Sequence, residues 1–105
     1  MEKLTFDYSG GTATGTGRTP VLVGVVGSGN LEILIEPADL GGHCEISILT
    51  AARGFATIWK AVVDDFHARH GLSDVRVSIN DVGATPAVVA LRLDQAVEDF
   101  LGGRA

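Results

Sequence analysis

Between Val21 and Phe66 the spacing of apolar residues changes once, and that change confines the chain to few folds. Val21 to Val26 is almost wholly apolar and β-branched, which suits a buried strand. Leu31 to Pro37 then alternates, with Leu31, Ile33 and Ile35 on one face and Glu32, Leu34 and Glu36 on the other. Cys44 to Thr50 alternates again, Ile46 and Ile48 opposing Glu45, Ser47 and Leu49. After Gly54 the period lengthens. Phe55, Ile58, Trp59, Val62, Val63 and Phe66 fall on one face of a helix, with Lys60, Asp64, Asp65 and His67 opposite. Gly71 stands where a left-handed residue ends such a helix.

Three further elements complete the pattern. Leu4 to Tyr8 is a short first strand, and Val75 to Ile79 a later one. Thr85-Pro86 offers an N-cap and an N1 proline to a second helix, whose stripe is Val89, Leu93, Ala96, Val97 and Phe100. Gly102-Gly103 ends it. The order β-β-β-β-α-β-α predicts an α+β two-layer sandwich: an antiparallel β-meander with a hairpin, covered by two helices. The 105 residues read as a single domain, 1–105. Ser9 to Thr19, rich in Gly and Thr, reads as a solvated, flexible connector, and Asp81 to Pro86 as a strand-to-helix connection without chemistry of its own.

The formal net charge is −5, and no Lys/Arg cluster occurs, so the chain lacks the basic surface that nucleic-acid binding requires. Cys44 is the single cysteine and has no internal disulfide partner, a usage compatible with a reducing cytoplasm. The Met1-Glu2-Lys3-Leu4 start has no signal-peptide pattern. No apolar run approaches the roughly 20 residues of a membrane span. These features lead us to expect a cytoplasmic protein.

Gly27-Ser28-Gly29 falls between two strand-like runs, at the expected hairpin tip. A hydroxyl flanked by glycines there is accessible to a modifying enzyme and could anchor a tethered group; the same residues also make an ordinary turn. Gly24, Gly27 and Gly29 do not form a dinucleotide-binding loop, because a strand rather than a helix follows. His43 and Cys44 are adjacent on a strand and face opposite ways, so the histidine cannot activate the thiol. His67 and His70 lie three apart on a helix and lack a third metal ligand nearby; they read as polar-face residues. The neighbouring acids Asp64/Asp65 and Glu98/Asp99 diverge around their helices and form no acid–base couple. Trp59 reads as core.

Two segments carry a family resemblance. Val23-Gly24-Val25-Val26-Gly27-Ser28-Gly29-Asn30-Leu31-Glu32-Ile33-Leu34 and Ile79-Asn80-Asp81-Val82-Gly83-Ala84-Thr85-Pro86-Ala87-Val88-Val89, continuing to Leu93, resemble the δ subunit, or acyl carrier protein, of malonate decarboxylase. The likeness runs from Leu4 to about Phe100. It implies that Ser28, flanked by Gly27 and Gly29, is the covalent attachment point of a 2'-(5''-phosphoribosyl)-3'-dephospho-CoA group joined by a phosphodiester. It implies a carrier of acetyl and malonyl thioesters, not catalytic by itself. The implied partners are the acyl transferase and decarboxylase subunits and a prosthetic-group transferase. Asn30, Asn80, Val82 and Ala87 depart from the family pattern without touching the serine. Two alternatives stand beside this reading: an assembly subunit without a prosthetic group, and a citrate-lyase-type acyl carrier.

Overall fold

The computed structural model describes residues 1–24 and 31–102. The elements run β1 (Glu2–Tyr8), β2 (Ala13–Thr14), β3 (Val21–Val23), β4 (Leu31–Pro37), β5 (Cys44–Thr50), α1 (Ala56–His70), β6 (Leu72–Ser73), β7 (Val75–Asp81) and α2 (Pro86–Phe100). The main sheet has five strands in the order β1-β5-β7-β4-β3. Alternation sets its inner face. Phe6, Ile46, Val77, Ile35 and Val21 stand side by side across all five strands, and Leu4, Ile48, Ile79, Ile33 and Val23 form the next row. Both helices contribute to the core over these rows, through Trp59, Val63 and Phe66 from α1 and Val89, Leu93, Ala96, Val97 and Phe100 from α2. At typical values of about 1.5–3 kcal/mol per fully buried aliphatic side chain, these rows dominate the favourable side of folding. No helix among the described residues is long and apolar enough to cross a membrane.

The two-layer α+β expectation holds, but the antiparallel meander does not. The strands β4 and β5, expected as neighbours, are separated by β7, which runs antiparallel to β4 and parallel to β5. Parallel pairing requires a crossover, which the segment containing α1 provides. Alternation reports which face a strand buries, not which strand lies beside it, so parallel and antiparallel neighbours look alike in the pattern.

The Ser9–Thr19 segment also differs from expectation. It is not merely a solvated connector: β2 pairs in parallel with β6, and Thr12 and Ala13 N–H groups both donate to Gly71 O at 2.9 Å. Gly15 is buried, and its N–H donates to Ser73 O at 2.8 Å. The Arg18 guanidinium reaches Thr14 O at 2.8 Å and Leu101 O at 2.9 Å, tying the segment to the end of α2.

The helix ends match their sequence signals. Gly71 caps α1 in the left-handed region at φ 56°, and Thr85 Oγ1 accepts from the Val88 N–H at 3.3 Å at the start of α2, with Pro86 in its first turn. One part of the α1 stripe departs from expectation. Trp59, Val63 and Phe66 are buried, but Phe55 and Ile58 are 47% and 42% exposed. The stripe begins before the helix has reached its packing partners.

Candidate functional site

Ser28, Gly27 and Gly29 lie outside the described residues, but the structure on either side of them is firm. Val23 pairs with Ile33, and Leu31 is buried in register with Asp81. Gly24 adopts φ 79°, and a Cβ there would come 2.6 Å from Leu31 O. Only glycine lets the two strand ends approach so closely while taking that backbone conformation. The strand ends at Gly24 and Leu31 therefore lie side by side.

The strand end beside Leu31 is stabilised by a buried polar network. Asp81 is 2% exposed. Its Oδ2 accepts from the Thr50 hydroxyl at 2.9 Å, and its Oδ1 accepts from the N–H groups of Ala84 at 2.8 Å and Gly83 at 3.2 Å. Thr50 Oγ1 in turn accepts from Ala52 N–H at 3.1 Å. One carboxylate thus fixes the Gly83-Ala84 backbone and two strand ends together. The Asp81–Pro86 turn, expected to be a plain connection, is organised by its first residue. The signal was available: Val75, Val77, Ile79 and Asp81 share one phase, so an acid continues the core face.

Two clefts flank Gly83 and Ala84, which line both. The first, of about 180 Å³, is bordered by Gly24, Leu31, Thr85, Val88 and Arg92. The second, of about 290 Å³, is bordered by Phe55, Ile58, Trp59 and Pro86 and is mainly apolar. Arg92 Nη1 donates to the neutral Gln95 Oε1 at 3.3 Å. Neither Arg92 nor the exposed pair Phe55 and Ile58 stands out in the sequence as part of a site.

The other chemical candidates are dispersed. Cys44 is fully buried on the inner face, and burial, with Asp7 and Glu45 adding to it, pushes its thiol up to about 12. His43 lies on the other side of the strand, its Nδ1 2.8 Å from Asp7 Oδ2. His67 Nε2 lies 3.0 Å from Leu72 O, and its ring stacks on Tyr8 at 4.7 Å. His70 Nε2 instead lies 3.1 Å from Asp94 Oδ1. Asp64 accepts from Lys60 and from the Tyr8 hydroxyl, both at 2.6 Å, and these bonds hold its carboxyl below the usual range. Burial, and after it the bond to Asp64, raises the pKa of the Tyr8 phenol. Trp59 is 6% exposed and contributes to the core while also lining a cleft.

Fold and site together define a small α+β domain in which a glycine-flanked serine lies between two paired strand ends. Residues 18–100 match the family model of the malonate decarboxylase δ subunit, an acyl carrier protein. The malonate decarboxylase acyl carrier protein of Xanthomonas campestris pv. campestris strain B100 is 60% identical over 105 residues, covering all of both chains. That of Stenotrophomonas maltophilia strain K279a is 60% identical over 103 residues, covering 98% of this chain and 97% of its own. A chain in the crystal structure of a Pseudomonas malonate decarboxylase hetero-tetramer in complex with malonate is 39% identical, with a TM-score of 0.79 over 95% of this chain and 99% of its own. The chain belongs to the malonate decarboxylase acyl carrier protein family.

Proposed function

We propose that this chain is the acyl carrier subunit of a malonate decarboxylase, bearing 2'-(5''-phosphoribosyl)-3'-dephospho-CoA on the Ser28 hydroxyl through a phosphodiester. The observation that supports the reading is the family match over residues 18–100, together with the close approach of Gly24 and Leu31, which flank the Ser28 stretch in sequence. When attached, the group supplies a thiol on a long arm, on which acetyl and malonyl are held as thioesters.

This chain's own residues do three things in that role. Gly24, Leu31 and the Asp81 network set a rigid base under the attachment segment. Arg92, beside that base, offers a cation to the phosphates the group contains. The remaining candidate nucleophile, Cys44, is buried and held protonated, so it does not compete with the arm's thiol for acyl groups. The carrier is not catalytic by itself; transfer and decarboxylation belong to other subunits. We place it in the cytoplasm, working with acyl transferase and decarboxylase subunits and with a prosthetic-group transferase. A tethered thiol gains effective concentration at each partner's active site, and an acidic carrier is steered toward basic partner surfaces.

The test is an intact mass with peptide mapping of the chain from cells that also make active transferase. Added mass on Ser28 equal to the prosthetic group is the expected result. An unmodified chain from such cells would overturn the reading and leave an assembly subunit in its place.

A further inference from the structure

The two clefts share Gly83 and Ala84 in their lining, which offers a path from one to the other. The first is lined by Gly24 and Leu31, the two strand ends that flank the Ser28 stretch in sequence. Gly83 and Ala84 form its boundary with the second cleft. At Gly83 a Cβ would meet nothing within 4 Å, so the space over the boundary is open. Leu31 is three positions beyond Ser28, so covalent geometry keeps an arm's anchor within about 11 Å of the first cleft.

The chemistry changes along this path. Near the anchor stand the Arg92 guanidinium and the start of α2. Farther on stand Phe55, Ile58, Trp59 and Pro86. The arm proposed for Ser28 runs in a comparable order: phosphates and nucleoside units first, then a pantetheine chain of alternating amide and hydrocarbon groups that ends in a thiol. Phe55 and Ile58 lie outside the packed length of α1, so their apolar surface is left open to a ligand.

We infer that this path is a resting groove for the arm, with Arg92 taking its phosphate oxygens and the Phe55–Ile58–Trp59 cleft covering its thiol-bearing end between transfers. The inference rests on the carrier reading and adds a binding site on the carrier's own surface. A groove of this kind shields the thioester from water while no partner is engaged. It must bind weakly enough to release the arm to a partner, so the apolar contact is shallow.

The experiment compares nitrogen–proton correlation spectra of the full chain, unmodified and loaded, with loading verified by mass. Trp59 is the only tryptophan, so its indole N–H gives an unambiguous signal. Loading is expected to shift that signal together with the Gly83, Ala84 and Val88 amides. Ile58→Glu places a charge in the cleft at an exposed position in the first turn of α1, where an acidic residue suits the helix end. The loaded variant should lose the Trp59 shift while keeping its added mass. Arg92→Gln should lose the Val88 shift. A loaded chain whose Trp59 signal does not move would overturn the groove and leave the carrier reading intact. So would a Trp59 shift that appears only when another subunit is added, which would make the cleft a partner surface. A chain that gains no mass at Ser28 in cells with active transferase would overturn both.

Discussion

The Thr50 hydroxyl donates to Asp81 Oδ2 across 2.9 Å between two strands that run in parallel, with Thr50 0% and Asp81 2% exposed. The same carboxylate holds Gly83 and Ala84. Replacing Asp81 by Ala would leave the buried Thr50 hydroxyl without its acceptor and release the part-buried N–H groups of Gly83 and Ala84. At about 1–3 kcal/mol per unsatisfied buried group, with partial relief by relaxation, Asp81→Ala should cost about 3 kcal/mol. Urea denaturation of the variant measures it; an unchanged midpoint would show that the network contributes little.

Gly15 is confined by its neighbours. A Cβ there would lie 2.5 Å from Asp74 O and 2.7 Å from Val75 Cγ2, both belonging to the sheet's rim. Gly15→Ala should therefore destabilise the fold by about 1–3 kcal/mol through overpacking. Thermal melting of the variant reads this directly. A solvated connector would tolerate the change, so a wild-type melting temperature would restore the simpler view of residues 9–19.

The Cys44 thiol is buried and its pKa is pushed up to about 12, chiefly by burial. A thiol reagent in mildly alkaline buffer should modify the folded chain only as fast as it opens, and the urea-unfolded chain at once. Equal rates in the two states would mean that Cys44 is accessible in the native protein.

Asp74 holds an acid-sensitive turn. Its Oδ1 accepts from Gly42 N–H at 2.9 Å and Leu40 N–H at 3.0 Å, and these bonds lower its pKa below the ordinary value. The folded state thus binds fewer protons here than the unfolded state. Stability from this group is complete above the ordinary carboxylate pKa of about 4 and is lost as the pH falls through the lower folded value. Asp94 is lowered too, because its bonds to His70 and Arg69 outweigh the burial that raises it. Asp74→Asn keeps an acceptor and tolerates the left-handed φ of 55°. Its stability should fall less steeply below about pH 4 than that of the wild type. Denaturation midpoints measured across that range decide the point, and parallel curves would exclude Asp74.

Ser28→Ala removes the proposed attachment oxygen from a residue between the two paired strand ends. The variant should fold with wild-type stability, gain no prosthetic mass and leave the assembled decarboxylase inactive. Full activity of an assembly containing it would place the attachment elsewhere.

Much of this architecture could be read from spacing. Ile33, Ile46, Ile48, Val77 and Ile79 are buried because alternation assigned them to one face, and Gly71 and Thr85 mark their helix ends as capping chemistry requires. Strand neighbours were not legible, since the β4–β7–β5 order depends on tertiary pairing. Nor was the packing of Gly15, which rests on contacts with residues about sixty positions away. Asp81 was legible in phase but passed over, because an acid ending an apolar strand looks like the start of a turn. The grooves required Phe55 and Ile58 to fall outside the packed length of α1, which a helical period cannot reveal. The role proposed for Ser28 rests on resemblance, as no spacing rule distinguishes a modified serine from a turn serine.

The position of β7 has a consequence for how the protein is made. Until residue 75 has been synthesised, the nascent chain holds only two separate ribbons, β1 with β5 and β3 with β4, and isolated two-stranded ribbons are marginal in water. The strand that joins them is the last to be translated. The footing at the strand end next to Gly24 includes the Leu31–Asp81 pair, so it comes into being only with that strand. A modifying enzyme that recognises this footing would pass over growing and truncated chains and act on finished carriers alone.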